Sequence, residues 1–225
     1  MITVTAFKWV PPFAQGNVRD HRIRWMLNEI GWDHGDRLID AQDQKSADYR
    51  AEQPFGQVPV LEEPGRPPQF ESGAIVLDLA LRSGQLLPGD EIARANVLQW
   101  YFAALNTVEP PVMMIAWADL FTKDEGVKKG LGKEAREFAA KRYGEVEAAL
   151  GDRDFLVGDD FTIADLMMAS VLKPARELGT LDKFPKLAAY QDRMLARPAY
   201  KDAIAAQCAG FAGHGPEDMK YEQAN

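Results

Sequence analysis

The chain has 225 residues, which is long enough for one large domain or two smaller ones with hydrophobic cores. Its composition, 46% hydrophobic and 27% charged, is that of an ordinary globular protein. The formal net charge of −8 argues against a nucleic-acid partner and against an anionic membrane surface. No apolar run is long enough for a membrane span, the start MITVTAFKWVPPF does not read as a signal peptide, and the lone Cys208 favours a reducing compartment, so we expect a cytoplasmic protein.

The first 84 residues alternate between strand and helix patterns. Alternation over 2–8 predicts a strand, and the i, i+3, i+4, i+7 spacing of Ile23, Met26, Leu27 and Ile30 predicts a helix that ends at Gly31. DRLID predicts a second strand and KSADYRAEQ a weak polar helix. QVPVLEE and PPQFES predict two strands around an EPGR turn, and SGAIVLDLALRSG predicts a further helix. The predicted order is β-α-β-α-β-β-α.

After GQLLPGDE only helical patterns remain, at about 91–122, 133–150, 162–178 and 185–206. Thr162 and Asp165 have capping-box spacing before the third of these, with Asp in place of the usual Glu or Gln, which indicates a role in stability. The prediction is a small α/β domain followed by an all-helical domain. Its limits are 1–84 for the first domain, 85–90 for a linker, 91–210 for the helical domain and 211–225 for a polar tail.

A proline in the middle of a strand pattern, Pro59 in QVPVL, needs an explanation because proline cannot donate to a sheet ladder. A cis Val58–Pro59 bond would turn the Val58 backbone out of the ladder and leave it able to pair with an extended ligand. The alternative is an edge strand or bulge with a trans proline. The local sequence leaves both readings open.

The stretch KSADYRAEQPFGQVPVLEE…FESGAIVLDLA resembles the glutathione-binding half of the glutathione transferase family over some thirty positions. FLVGDDFTIADLMMASVL and FPKLAAYQDRMLARPAYK resemble the buried-helix motif and last long helix of the family's second domain. The resemblance implies a thioredoxin-like N-terminal domain, an all-α C-terminal domain, glutathione as co-substrate, a homodimer, and a cis Val58–Pro59 bond. WVPPFAQGNVRDH and the tail are poorly covered by it.

The same resemblance implies a binding site. Ser72 begins a helix, and helix N-termini bind carboxylates, so Ser72 is expected to hold the γ-glutamyl carboxylate while Glu71 accepts from the ammonium group. The Val58 backbone would pair with the cysteinyl part, with Gln57 supporting the γ-glutamyl end and Lys45 meeting the glycine carboxylate beside Gln44. Taken singly, Ser72 is also a plain helix cap, and Glu71, Gln44 and Lys45 are also surface residues. The implied glutathione-binding set is Gln44, Lys45, Gln57, Val58, Pro59, Glu71 and Ser72.

The residue that would activate the glutathione thiol is missing. The family usually supplies Tyr, Ser or Cys near the first strand or helix, yet residues 6–45 contain no Ser, Thr, Tyr or Cys. Counting back from IRWML places Asn17 at the serine position, where its amide N–H can donate to a thiolate; it is also an ordinary residue for a helix N-cap. Arg19 and Gln15 are secondary candidates. Apolar residues offer an acceptor pocket or ordinary core packing, namely Trp9, Phe13, Met113, Met114 and Trp117.

Two kinds of function therefore remain open. The first is a transferase that directs the glutathione thiolate at a small electrophilic or peroxide-like molecule; the second is a ligand carrier of the same fold with little catalysis, which the missing hydroxyl keeps open. A scaffold without a ligand is disfavoured by Val58-Pro59 and Glu71-Ser72. The three histidines are scattered, so no metal site is expected.

Overall fold

The structure is a computed structural model that describes residues 1–219. The chain forms two compact units, one made of Met1–Ser83 with the described residues from Arg197 onward, the other of Gly84–Ala196. The strands are β1 Ile2–Phe7, β2 His34–Ile39, β3 Val60–Glu62 and β4 Gln69–Phe70. The helices are α1 Asp20–Ile30, α2 Ala41–Lys45, α3 Ala47–Glu52, α4 Ser72–Ser83, α5 Glu91–Ala103, α6 Glu109–Ala116, α7 Glu125–Leu150, α8 Ile163–Glu177, α9 Pro185–Leu195 and α10 Pro198–Ala209.

The first unit contains a four-stranded mixed sheet in the order β2-β1-β3-β4. Strands β1 and β2 are parallel, while β1–β3 and β3–β4 are antiparallel, with Val4 opposite Leu61 and Val60 opposite Phe70. This is the predicted β-α-β-α-β-β-α arrangement of a thioredoxin-like domain, and it confirms the fold class. The polar helix predicted at 45–53 is present as α3, and a short helix that was not predicted, α2, lies immediately before it. Ser46 separates the two, because it ends α2 and its hydroxyl caps α3 by accepting from the Tyr49 N–H.

The last helix, α10, packs against α1 in the first unit. The Arg197 guanidinium pairs with Glu29 at 2.6 Å, and the Asn28 amide donates to the Ala199 carbonyl at 3.0 Å. The limits predicted for the helical domain, 91–210, therefore extend too far. The predicted helix at 185–206 is broken because Arg197 precedes Pro198 and takes an extended conformation, so that α10 begins as a separate helix at Pro198.

The second unit is all helical, as predicted, but its first helix is not continuous. The predicted span of 91–122 is divided into α5 and α6 by a five-residue π-helical segment, Ala104–Val108, and a second such segment, Trp117–Phe121, follows α6. Pro110 and Pro111 in the first turn of α6 have no N–H to donate to the preceding turn, which accounts for the interruption before α6. The helix predicted from 133 begins earlier, at Glu125, because the Asp124 side chain caps it.

The predicted capping box at the start of α8 is present and buried. Asp165 accepts from the Thr162 N–H and hydroxyl, both at 3.0 Å, and also from the Leu156 N–H and the Tyr190 hydroxyl at 2.9 Å. Burial raises the pKa of Asp165, and these four donors oppose that shift. Asp165 therefore fixes three separate segments of the second unit and has a structural role.

The predicted tail, 211–225, is structured over the part that can be described. Phe211 is buried, and a short 3-10 helix spans Pro216–Met219. Asp218 accepts from the Gly215 N–H at 2.9 Å and interacts electrostatically with Lys8 at the end of β1. Residues 220–225 lie outside the described part of the chain. No helix within residues 1–219 is long and apolar enough to cross a membrane.

Candidate functional site

The turn from β4 into α4 brings two of the predicted site residues together. Glu71 is exposed and has a φ of 68°, a left-handed conformation that is uncommon for a residue with a side chain and is concentrated at functional sites. Its carbonyl accepts from the Ile75 N–H at 3.0 Å, so the helical ladder begins there. Ser72 follows, only 4% exposed, at the positive end of a 12-residue helix. This turn offers an anion site next to an exposed carboxylate.

Arg22 on α1 adds a positive charge that the sequence analysis missed. Its Nη1 donates to the Ser72 hydroxyl at 3.3 Å, and the residue is only 3% exposed. A guanidinium and a helix N-terminus at one serine both favour a carboxylate as their ligand. The sequence did contain a signal for Arg22. It lies four residues before Met26, on the buried face of α1, and burying a charged side chain there costs free energy unless the charge is paired.

The loop before β3 presents the Val58 backbone. The Val58–Pro59 bond is cis, and within residues 1–219 we find no hydrogen bond to the N–H or carbonyl of Val58. The side chain of Val58 is buried in a cluster with Ile39, Tyr49 and Val60. A backbone donor and acceptor beside a fixed side chain can pair with an extended peptide ligand.

Gln44, Lys45 and Gln57 differ in what the structure gives them. The Gln44 amide donates to the Gly56 carbonyl at 2.5 Å, so its amide nitrogen supports the loop. Lys45 is exposed at the end of α2, and the exposed Gln57 accepts at its carbonyl from the Tyr49 hydroxyl. Whether these three side chains contact glutathione stays a prediction.

Asn17 lies in the loop before α1, but it is not the helix cap that one reading of the sequence expected. The N-cap position of α1 is occupied by Arg19, whose side chain makes no capping hydrogen bond. The Asn17 side-chain amide donates to the Phe13 carbonyl at 3.3 Å, and the Gln15 amide donates to the Val10 carbonyl at 3.2 Å. The three polar candidates thus lie in the loop before α1 or at its N-cap, and the side chains of two of them hydrogen-bond within that loop.

The first turn of α1 already contains a carboxylate, Asp20, which is fully buried. Burial raises its pKa to about 6, against the opposing effects of Arg24 at 2.8 Å and of the Gln207 amide at 2.6 Å. Arg24 also pairs with Asp36 at 2.7 Å. The positive end of α1 therefore interacts with Asp20 as well as with any thiolate brought to it.

The predicted acceptor residues are divided between the two units. Trp9 is half-buried and Phe13 exposed in the first unit. In the second unit Met113 is half-buried, Met114 is exposed, and Trp117 is 59% exposed with its ring 5.4 Å from that of Phe121. Residues 113, 114 and 117 lie along α6 and the π-helical segment that follows it. Within residues 1–219 no group of three His, Cys, Asp or Glu residues could hold a metal ion.

A thioredoxin-like unit, with a buried serine and a guanidinium at the start of α4, is joined to an all-helical unit, and this combination defines the class of protein. Models of the glutathione S-transferase N-terminal and C-terminal domains match residues 7–80 and 108–198. Glutathione S-transferase F10 of Arabidopsis thaliana is 30% identical over 177 residues, 72% of this chain and 80% of that protein. Glutathione S-transferase GstA of Escherichia coli O157:H7 is 31% identical over 164 residues, 71% of this chain and 78% of that protein.

A solved structure agrees with these relatives. A glutathione transferase family member from Pseudomonas fluorescens, crystallised with two glutathione bound, superposes with a TM-score of 0.77 at 25% identity, covering 90% of this chain and 92% of that one. The chain belongs to the glutathione S-transferase family.

Proposed function

We propose that the chain is a glutathione transferase, which binds glutathione in its first unit and directs the thiolate at a small electrophilic or peroxide-like molecule. The observation that carries the proposal is the turn at Ser72, where a buried guanidinium and a helix N-terminus meet at one hydroxyl. The named relatives and the glutathione in the Pseudomonas structure support the same ligand.

Each part of glutathione has a proposed partner. The γ-glutamyl carboxylate binds Ser72 and the end of α4 with Arg22 behind it, and the ammonium group binds the exposed Glu71. The cysteinyl part pairs with the Val58 backbone, and the glycine carboxylate is met by Lys45. A tripeptide with a carboxylate at each end and a backbone between them fits this order of groups.

The proposed activation of the thiol comes from the end of α1, near Asn17 and Arg19. A helix N-terminus and an amide donor favour the thiolate, which is the nucleophilic form, over the thiol. Asp20 in the same turn weakens this effect, so the activation is modest. The proposed acceptor contacts are Trp9 and Phe13 in the first unit and Met113, Met114 and Trp117 in the second.

A ligand carrier of the same fold is the second candidate. The observation that favours it is the absence of Ser, Thr, Tyr and Cys from residues 6–45, where the family usually has its catalytic hydroxyl or thiol. Such a protein would bind glutathione through the same residues and turn it over poorly.

The assembly and location complete the proposal. We propose a homodimer in the cytoplasm. Large apolar side chains on the surface support the second copy, since Ile92 is 75% exposed and Phe55 and Leu81 are also exposed. The single cysteine supports a reducing compartment.

Two measurements test the function in sequence. Calorimetry with reduced glutathione comes first, and an absence of binding would reject both candidates. Turnover with an aryl halide and with an organic hydroperoxide comes second. A rate that depends on the concentrations of glutathione and of either acceptor supports the transferase. Tight glutathione binding without turnover of the aryl halide or the hydroperoxide favours the carrier.

A further inference from the structure

The loop that presents Val58 is held by side chains from the helices before it. The Arg50 guanidinium donates to the Pro54 carbonyl at 3.1 Å, the Gln44 amide donates to the Gly56 carbonyl, and the Tyr49 hydroxyl donates to the Gln57 carbonyl at 2.5 Å. Three carbonyls of the loop are therefore fixed from α2 and α3, and the last of them immediately precedes Val58.

The geometry of the peptide unit links Tyr49 to the Val58 N–H. The Gln57–Val58 bond is trans, so the Gln57 carbonyl and the Val58 N–H lie in one plane and point in opposite directions. Tyr49 binds that carbonyl on the side of the core, which turns the Val58 N–H away from the core. A hydrogen bond received by the carbonyl also polarises the amide and makes its N–H a stronger donor.

Tyr49 is itself rigid. It is only 1% exposed, lies in the cluster with Ile39, Val58 and Val60, and has the Arg37 guanidinium 5.5 Å from its ring centre. Burial raises the pKa of Tyr49, so its hydroxyl remains a donor at neutral pH. Arg37 is fixed in turn by Glu52 and Glu62, each at 2.7 Å.

We propose that Tyr49 is a positioning residue for glutathione: its hydroxyl orients the Val58 N–H toward the cysteinyl part, and Gln44 supports the same loop. This inference rests on the proposed function, because it assigns a role within the glutathione site. Neither residue needs to touch the thiol, and Tyr49 acts only through the peptide plane of Gln57 and Val58.

The test is calorimetry of the full chain with reduced glutathione, using Tyr49→Phe, which keeps the ring and removes the hydroxyl. We expect the Kd to rise about 5- to 10-fold, the worth of one net hydrogen bond, while the stoichiometry stays unchanged. A merely structural defect would instead lower the stoichiometry and leave the Kd of the folded fraction as it was. Tyr143→Phe is the matched control. Tyr143 is also buried, and it lies in the second unit, where its hydroxyl is 3.3 Å from that of Thr180.

Gln44→Ala provides a second variant that does not touch the core, since Gln44 is only half-buried. We expect its Kd to rise about 2- to 5-fold for glutathione and equally for γ-glutamylcysteine, which lacks the glycine carboxylate. An effect confined to glutathione would mean that Gln44 contacts the glycine end directly and would overturn the supporting role.

The remaining outcomes are decisive. Wild-type protein that does not bind glutathione refutes the proposed function and this inference together. Wild-type binding with an unchanged Kd in Tyr49→Phe refutes the inference alone. An equal rise in Tyr143→Phe would also overturn it, because the hydroxyl effect would then be unrelated to the loop. If Tyr49→Phe does not fold, the Kd values of Gln44→Ala for glutathione and γ-glutamylcysteine test the inference instead. Unchanged Kd values in Gln44→Ala would reject the positioning of Val58 by this loop.

Discussion

Replacement of Ser72 by alanine tests the centre of the proposed site. The Ser72 hydroxyl is buried at the first residue of α4 and accepts from Arg22 at 3.3 Å. Alanine removes one hydrogen bond to a charged carboxylate, which is worth about 1.5–3 kcal/mol. Since about 1.4 kcal/mol is tenfold in Kd, glutathione should bind about 10- to 150-fold more weakly. The end of α4 and Arg22 remain, so binding is weakened and not abolished.

The assay is calorimetry with reduced glutathione at constant pH and salt. Ser170→Ala is the control, because Ser170 is equally buried but its hydroxyl donates to the Leu166 carbonyl within α8. Ser170→Ala should cost stability and leave the Kd unchanged. If Ser72→Ala binds glutathione as tightly as wild type, the γ-glutamyl carboxylate lies elsewhere and the argument from α4 is wrong.

Four further predictions follow from the same structure. Asp165→Ala leaves several buried donors unpaired and should cost about 3–5 kcal/mol in urea unfolding, while the exposed Asp159→Ala should cost little. Because burial raises the folded-state pKa of Asp20 to about 6, its contribution to stability should fall as pH rises from 4 to 6, by up to about 3 kcal/mol, and Asp20→Asn should remove that fall. Light scattering should give about 50 kDa, twice the 25.1 kDa chain mass, and a monomer would reject the dimer. Asn17→Ala should partly raise the pKa of bound glutathione thiol.

The sequence predicted the sheet and most helices because their periodicity is local. Alternation over β1 and the apolar spacing from Ile23 to Ile30 are set by burial on one face, and both appear in the structure. The break at Pro198 could have been found, since a residue before proline avoids the helical conformation. That α10 belongs with α1 could not, because that pairing depends on long-range contacts such as Arg197 with Glu29.

The candidate site was predicted where a motif marks it and missed where geometry alone creates it. Glu71 and Ser72 follow from the resemblance, and their turn has the expected helix start. Arg22 was missed because its partner is 50 residues away, and Tyr49 was missed because a tyrosine in a weak helix gives no local sign that its hydroxyl reaches Gln57. Hydrogen bonds between separate segments of the chain leave little trace in the periodicity of a single sequence.

The Asn17 prediction concerns the weakest part of the proposed mechanism. A helix N-terminus contributes about 0.3–1 kcal/mol when exposed and up to about 2 when partly buried. Since one pKa unit is 1.36 kcal/mol, the end of α1 alone should lower the thiol pKa by about one unit from 8.5, and a donated hydrogen bond from Asn17 could add a similar amount. Asp20 in the first turn opposes both effects. The thiolate should thus be only partly formed at neutral pH, and ultraviolet titration of bound glutathione measures it directly. In Asn17→Ala a raised pKa supports the donor role, whereas no change leaves Arg19, Gln15 or backbone N–H groups. A thiolate fully formed at pH 6 in the wild type would show that a stronger donor than any of these acts on the sulfur.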